Sequence, residues 1–266
     1  MSRPPSRSSA FVIGTALLHI VFVGAFFLWP GSWAIILAIL ITNHAAIVAA
    51  GIHPRNKLIG SNRSRLNEVG DDADGIALTF DDGPDPEVTP RILEILAHHN
   101  CHATFFLIGT RAAAHPDLVR AIVHAGHDLG NHSWDHPNGF FFHGPSQLSA
   151  QIGRTQDLLE ELSGEPPSFF RAPAGIRSPL LEAQLARRGL DLVSWSRRGF
   201  DTVERCPEKV LDRLTKNIGP GDILLLHDGS VARSTAGIPV VFEVLPRLLE
   251  VIQARKLVPV LLRFHS

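Results

Sequence analysis

The sequence predicts an α/β fold in which about seven parallel strands form a closed or nearly closed barrel, preceded by a transmembrane helical hairpin. Apolar strand-like runs alternate with helical stretches from residue 75 onward, and polar residues follow several of the predicted strands. Two long apolar runs without charged residues come before them. We therefore divide the chain into a hairpin (1–52), a basic linker (53–73) and an α/β domain (74–266).

The hairpin prediction depends on the runs 10–29 and 33–52, which Pro30-Gly31-Ser32 separates. Each run is long enough to span a bilayer, whereas a cleaved signal peptide would account for only one. A single span followed by an interfacial helix is the weaker alternative. His19 and Asn43 each lie twelve residues from Gly31. Because polar side chains are unfavourable at that depth, we expect His19 to form a hydrogen bond with Asn43 or His44.

Basic residues surround the hairpin. Arg3 and Arg7 precede the first run, and the linker contains Arg55, Lys57, Arg63 and Arg65. The positive-inside rule then favours the cytoplasmic face for the following domain, with a periplasmic or extracellular location as the alternative. We expect the linker to be a solvated tether, or else a segment that binds lipid headgroups.

Alternation of strand and helix patterns predicts the order of the domain. Strands are predicted over 75–80, 103–108, 127–130, 168–171, 190–196, 222–228 and 257–264, with helices over 89–99, 115–125, 146–163, 178–188, 207–217 and 238–255. Such alternation implies parallel strands, and in barrels of this kind the C-terminal strand ends form the functional site. The two cysteines, Cys101 and Cys206, fall at opposite rims, so we expect no disulfide. The net charge of -1 does not indicate nucleic-acid binding.

Two carboxylates and two imidazoles form the first candidate site. Asp81 and Asp82 end the first predicted strand, and Gly83-Pro84 is expected to supply the turn that aims both at one point. His132 and His136 follow the third strand. With Asp82 they would make a two-histidine, one-carboxylate metal site. A capping turn and a surface loop are the alternatives for these two motifs taken singly.

Two further motifs follow later strands, namely Arg171-Ala172-Pro173-Ala174-Gly175 and Leu224-Leu225-Leu226-His227-Asp228. Taken in order, the four motifs resemble the polysaccharide deacetylase family, also called the NodB-homology or carbohydrate esterase family 4 domain. The resemblance covers about residues 74 to 264. It implies a distorted (β/α) barrel and a metal-dependent hydrolase that removes an N-acetyl, or N-formyl, group from an amino sugar.

The resemblance also implies a role for each site residue. Asp82, His132 and His136 would bind the metal, with zinc favoured and cobalt, nickel or iron as alternatives. Asp81 would be the general base, oriented by Arg171, and His227 the general acid. The predicted substrate-binding residues are Pro173, Gly175, Ile176, Leu226 and Arg198. Among these, the N–H group of Ile176 would hold the oxyanion, and Leu226 would line the acyl pocket.

The chain departs from the family pattern in the fourth motif, which lies within 195–202. Arg198 stands where the family has an acid and Thr202 where it has a tryptophan, while Asp201 remains. The missing acid would normally support the catalytic histidine, so the sequence leaves open what supports His227. Arg198 is either a solvated loop charge or a binding group for an anionic part of the substrate.

Three consecutive phenylalanines, Phe140 to Phe142, follow the metal motif. They either pack under the loop or form an apolar surface for a membrane or lipid tail. Together with the hairpin and Arg198, they favour a lipid-linked or membrane-associated saccharide as substrate. A sugar O-acetyl esterase and a membrane-bound saccharide-binding pseudoenzyme are the alternative functions.

Overall fold

The computed structural model describes residues 10–53, 56–66 and 74–263. Two helices begin the described part, α1 (Ala10–Leu28) and α2 (Trp33–Ile52), and one 3₁₀ turn at Pro30–Ser32 joins them. Their mean hydropathies are 2.4 and 2.2, so both are candidate membrane spans by length and composition. The helices thus match the predicted runs, 10–29 and 33–52, to within one residue. Arg3, Arg7 and Arg55, on which the predicted orientation depends, lie outside the described residues.

Polar side chains join the two helices at one level. The side chains of Thr15 and Asn43 lie 3.2 Å apart, within hydrogen-bonding distance. The rings of His19 and His44 meet edge to face, with centroids 5.2 Å apart. The expected hydrogen bond from His19 to Asn43 or His44 is wrong, because Nδ1 of His19 lies 2.7 Å from the carbonyl oxygen of Thr15 in its own helix and the side chain of Asn43 pairs with that of Thr15.

The remaining chain forms one parallel sheet with helices packed against it. The strands are β1 (Gly75–Asp81), β2 (Thr104–Leu107), β3 (Asp128–Asn131), β4 (Phe169–Phe170), β5 (Asp191–Leu192), β6 (Arg197–Arg198), β7 (Ile223–His227) and β8 (Val258–Pro259). The helices are α3 (Val88–His98), α4 (Gly109–Ala114), α5 (Pro116–His124), α6 (Pro145–Ser163), α7 (Leu181–Ala186), α8 (Pro207–Thr215) and α9 (Val240–Ala254).

The sheet is an incomplete barrel. Its strand order is β5–β4–β3–β2–β1–β7–β6, and β8 pairs with the start of β1. The strands β5 and β6, which follow each other in the chain, therefore lie at opposite edges. The predicted single strand over 190–196 is wrong, because the chain leaves one edge after Leu192 and joins the other at Arg197. The predicted distorted barrel of parallel strands is confirmed.

The central strand β1 is buried along its whole length, and its side chains alternate between two cores. Ile76, Leu78 and Phe80 pack in the larger core together with residues of the flanking helices. Ala77 packs in the smaller core inside the barrel with Phe106, Trp195 and Leu225, among others. Because side chains alternate, Asp81 lies on the same face as Ala77 and points into the barrel.

Residues 56–66 are not a solvated tether, so this prediction for the linker is wrong. Ile59 and Leu66 are buried. The N–H group of Arg63 donates to the carbonyl oxygen of Leu192, and the N–H group of Leu66 donates to that of Gly221. Because these contacts reach both the end of β5 and the approach to β7, the segment lies across the gap between the sheet edges. Apolar side chains within this polar segment explain why it packs rather than remains in solvent.

Candidate active site

Asp81 is held by a buried arginine at the end of β1. Its Oδ1 accepts a hydrogen bond of 2.6 Å from Nη1 of Arg171, which follows β4. The same Nη1 donates to Oγ1 of Thr79, and the other guanidinium nitrogens donate to the carbonyl oxygens of Val193 and Ser194. Arg171 is thereby fixed in place, and it fixes one oxygen of Asp81. The second oxygen, Oδ2, lies 3.9 Å from Nε2 of His132.

Asp82, His132 and His136 converge as the sequence predicts. Oδ1 of Asp82 lies 3.4 Å from Nε2 of His132 and 3.5 Å from Nε2 of His136. This oxygen is buried and has no hydrogen-bond partner among the described residues. Burial alone would raise the pKa of Asp82, but the three neighbouring histidines, His132 above all, hold it well below its usual range.

These residues fit a divalent metal ion. Nδ1 of His132 lies 2.9 Å from the carbonyl oxygen of Arg171 and donates to it, so the neutral ring that binds a metal has its lone pair on Nε2. A lone pair and a carboxylate oxygen then face each other, an arrangement that a cation between them would stabilise. One ligand atom from each of the three residues lies within 4.8 Å of the others. Two imidazoles and a carboxylate suit zinc and related transition metals.

The loop that presents the two histidines is held by polar residues that the sequence analysis missed. The side-chain amide of Asn131 donates to Gln156, and its oxygen accepts from the N–H group of Ser133. Ser133 and His136 both have positive φ angles, 66° and 49°. These two left-handed residues turn the chain back on itself, so that His136 returns to the side of His132.

The chain bends after β1 at Asp82, directly before Gly83 and Pro84. The φ angle of Asp82 is 73°, in the left-handed region that aspartate tolerates better than most residues. Gly83 is needed for a different reason. A Cβ atom at this position would lie 1.9 Å from Oδ2 of Asp228. Burial, the largest cause, together with the nearby carboxylates of Asp82 and Asp81, raises the pKa of Asp228 to about 7.

His227, the last residue of β7, is buried opposite these carboxylates. Its Nδ1 lies 2.8 Å from Oδ1 of Asp201, and its backbone N–H group donates to Oδ2 of the same residue. Asp201, the acid of the fourth motif that remains in this chain, therefore supports His227. Burial alone would lower the pKa of His227, but the carboxylates of Asp201, Asp81 and Asp82 outweigh it and raise the pKa.

A cavity of about 450 Å³ brings these residues together. It is lined by Asp81, Asp82, His132, His136 and His227, and also by Ala174, Gly175, Trp195, Arg198 and Leu225, among others. Of the predicted substrate-binding residues, Gly175 and Arg198 therefore line the cavity. Nε of Arg198 is buried without a hydrogen-bond partner among the described residues, and its guanidinium lies over the rings of Trp195 and Phe200.

Three of the predicted substrate-binding residues, Pro173, Ile176 and Leu226, do not line the cavity. Leu226 packs in the outer core against the helices. Its neighbour Leu225 lines the cavity instead, because side chains alternate along β7 and residue 225 shares its face with His227. Strand periodicity alone could have corrected this assignment.

A further correction concerns the predicted oxyanion donor, Ile176. The N–H group of Ile176 donates to the carbonyl oxygen of Pro173 within the turn Pro173–Gly175, so it is already used. Pro173 is buried in this turn. Ala174, with a φ angle of 54°, lines the cavity.

The fold and the site together define the class of protein: an incomplete parallel α/β barrel that carries two adjacent aspartates and three histidines at the carboxyl end of its strands.

Comparison with known proteins gives the family. A family model described as polysaccharide deacetylase matches residues 68–193. A peptidoglycan-N-acetylglucosamine deacetylase of Bacillus cereus is 35% identical over 65% of this chain and 62% of its own length. A chitooligosaccharide deacetylase of Azorhizobium caulinodans is 40% identical over 58% of this chain and 73% of its own length. The structure of a family 4 carbohydrate esterase from Streptomyces lividans, in complex with acetate, superposes with a TM-score of 0.62 and 31% identity, over 69% of this chain and 90% of that one. This chain belongs to the polysaccharide deacetylase family.

Proposed function

We propose that this protein is a metal-dependent hydrolase that removes an N-acetyl, or N-formyl, group from an amino sugar. The arrangement of a buried base and a buried acid on one cavity supports this most strongly. Asp81 with Arg171 and His227 with Asp201 both line or adjoin the cavity that holds Asp82, His132 and His136. Hydrolysis of an amide needs both groups, because water must lose a proton and the leaving nitrogen must gain one.

In the proposed reaction the oxygen of a water molecule bonds to the acyl carbon, and the bond from that carbon to nitrogen breaks. Asp81 accepts the proton of the water, and Arg171 keeps the carboxylate oriented for this transfer. His227, protonated through its raised pKa, donates a proton to the departing nitrogen. The products are a free amine and acetate or formate. A divalent metal held by Asp82, His132 and His136, for which we propose zinc, would polarise the carbonyl group and lower the pKa of water. Ala174 replaces Ile176 in this proposal as the backbone donor to the oxyanion.

The substrate that we propose is a lipid-linked or otherwise membrane-associated saccharide. The candidate membrane spans α1 and α2 support the membrane association, and the names of the two relatives support a saccharide that contains an amino sugar. We propose that residues 1–52 form the membrane hairpin and that the α/β domain lies on the cytoplasmic side. The domain would begin near residue 56, since residues 56–66 pack on it.

The full-length protein in lipid nanodiscs, loaded with zinc or cobalt, tests this function. It should release acetate or formate from N-acylated saccharides and contain about one metal ion per chain. Both properties together support a hydrolase. A protein without stoichiometric metal that binds these saccharides and leaves them unchanged would instead be a binding protein.

A pH profile tests the proposed pair of His227 and Asp201. Because carboxylates raise the pKa of His227, the protonated acid is present below that pKa and is lost as the pH rises through it. Asp201→Asn removes the nearest carboxylate, so the alkaline limb of kcat/KM should move to lower pH. A hydrogen bond to a charged group contributes about 1.5–3 kcal/mol, so we expect a loss of roughly tenfold or more near neutral pH. An alkaline limb in the same place, with or without a lower rate, would contradict this role.

Substitution of Arg198 tests whether the site accepts an anionic substrate. Its guanidinium lines the cavity, and its buried Nε has no partner within the described chain. If Arg198 binds a phosphate group, Arg198→Ala should raise KM for phosphate-bearing saccharides by roughly 10- to 100-fold, from about 1.5–3 kcal/mol for a charge-assisted hydrogen bond. Neutral oligosaccharides should change little. Arg187→Ala, at an exposed site after α7, is the matched control. Equal increases for both substrate types would show that Arg198 acts on the fold and not on the anion.

A further inference from the structure

The end of helix α2 is built into the rim of the candidate active site. Most of α1 and α2 is exposed, but Ile47, Ala50 and Gly51 near the end of α2 are buried. A Cβ atom at position 51 would lie 2.7 Å from the carbonyl oxygen of Arg177 and 2.9 Å from the ring of Phe141. Glycine therefore allows the helix backbone to approach two loops of the α/β domain.

Arg177 stabilises this contact between the end of α2 and the α/β domain. Its side chain is only 2% exposed, and Nη2 donates to the carbonyl oxygens of Ala50 (2.9 Å) and Asn56 (2.7 Å). Its backbone N–H group donates to the carbonyl oxygen of Gly51 at 3.1 Å. A cation at the C-terminal end of a helix satisfies carbonyl groups that lack partners there and opposes the negative end of the helix dipole. These contacts fix the domain relative to the helix, which a flexible linker would not do.

Both loops in this contact also belong to the active-site rim. Arg177 comes two residues after Gly175 and three after Ala174, which line the cavity. Phe141 comes five residues after His136, which also lines it. The end of α2 therefore lies beside the opening of the cavity and not at the opposite end of the barrel.

Phe142 projects from this rim. It is 84% exposed, more than any other large hydrophobic side chain in the described residues. Its neighbour Phe140 is buried, and Phe141 contacts Gly51, the next-to-last residue of α2. If α2 spans a bilayer, Phe142 lies at the level at which the helix leaves it, where aromatic side chains are favoured.

We propose that Phe142 inserts into the lipid bilayer and that the Arg177 contact holds the cavity against the membrane surface. The partner is the lipid bilayer that surrounds the end of α2. The exposed Ile52 and Leu58 add apolar surface near the contact, and the exposed Lys57 suits anionic headgroups. A saccharide attached to a lipid would then reach the cavity without leaving the membrane. This inference rests on the proposed membrane hairpin.

Quenching of a fluorescent label by labelled lipids, measured on the full chain, tests whether Phe142 inserts into the bilayer. The two free cysteines, Cys101 and Cys206, are replaced by serine, and one new cysteine at a time receives an environment-sensitive fluorophore. The labels are placed at Phe142, at Ile41 in α2 and at Val258, which is exposed in β8 at the opposite end of the barrel. The nanodiscs contain lipids with a nitroxide quencher in the acyl chain.

We expect the labels at 41 and 142 to be quenched and the label at 258 to remain bright. Interfacial side chains lie about 5–10 Å below the headgroup boundary, within reach of a shallow quencher. Quenching at 41 with a bright label at 142 would overturn this inference alone. A bright label at 41 would overturn the membrane hairpin and the inference with it, but not the hydrolase activity, which is assayed on soluble oligosaccharides.

A second variant tests the role of Arg177. Arg177→Ala should reduce quenching at 142 while quenching at 41 stays unchanged, because the domain is then free to move away from the membrane. Arg187→Ala is again the control and should change neither signal. Full quenching at 142 in Arg177→Ala would show that Arg177 does not hold the rim at the membrane.

Discussion

Replacing Asp81 with asparagine is expected to reduce kcat/KM by about 10²- to 10⁴-fold, the usual contribution of a general base, while the metal stays bound. Asparagine keeps the size and the hydrogen bond from Arg171 but cannot accept a proton from water. The ligand atoms of Asp82, His132 and His136 are unchanged. Activity and metal content, measured on the same sample in nanodiscs, separate these two effects.

Asp212→Asn, at an exposed position in α8, is the control for this substitution and should leave the rate unchanged. If Asp81→Asn retains a rate close to that of the wild type, Asp81 is not the base. If it loses both metal and activity, Asp81 belongs to the metal site instead.

The second large effect is expected at the metal site. Asp82→Asn should lose both the bound metal and measurable turnover, because it removes the one carboxylate among the three ligands. His132→Ala should do the same. Metal content by elemental analysis should fall from about one ion per chain to near zero. His124→Ala, an exposed histidine on α5, should retain the ion.

Excess zinc should not restore either variant to the wild-type rate. Stoichiometric metal in Asp82→Asn would contradict the proposed ligand set. It would also leave the unpartnered Oδ1 of Asp82 without an explanation.

The positions of the main site residues could be predicted because each depends on local sequence. Asp81 and His227 end apolar runs, and parallel strands bring such ends to one side of a sheet. The structure pairs these two residues directly between β1 and β7. The family resemblance supplied the roles, and the geometry is compatible with them.

The wrong and the missing assignments within the motifs have two physical causes. The prediction of Leu226 as a cavity residue conflicts with the alternation of side chains along β7, which places Leu225 and not Leu226 on the same face as His227. The pairing of Asp201 with His227 could not be predicted, because it joins residues 26 positions apart in the chain. No local pattern shows that two such side chains meet.

The contacts between segments could not be predicted at all. The sequence around Arg177 shows no sign of a special role, yet its side chain donates to carbonyl oxygens more than 120 positions earlier in the chain. Residues 56–66 are mostly polar, yet their backbone forms hydrogen bonds to Leu192 at the end of β5 and to Gly221 before β7. Both contacts depend on the closure of the barrel and on the place where the hairpin enters it, which are properties of the folded chain.

The central claim is that the site hydrolyses an N-acyl amide with water. The most direct test is turnover of an N-acetylated saccharide by the metal-loaded full-length protein in oxygen-18-labelled water. We expect each labelled acetate molecule to be accompanied by one new primary amine, and both products to form about 10²- to 10⁴-fold more slowly with Asp81→Asn. Labelled acetate from an O-acetylated saccharide, with the N-acetylated saccharide left intact, would make the protein an O-acetyl esterase. Intact substrate in the presence of bound metal would contradict the proposed hydrolase.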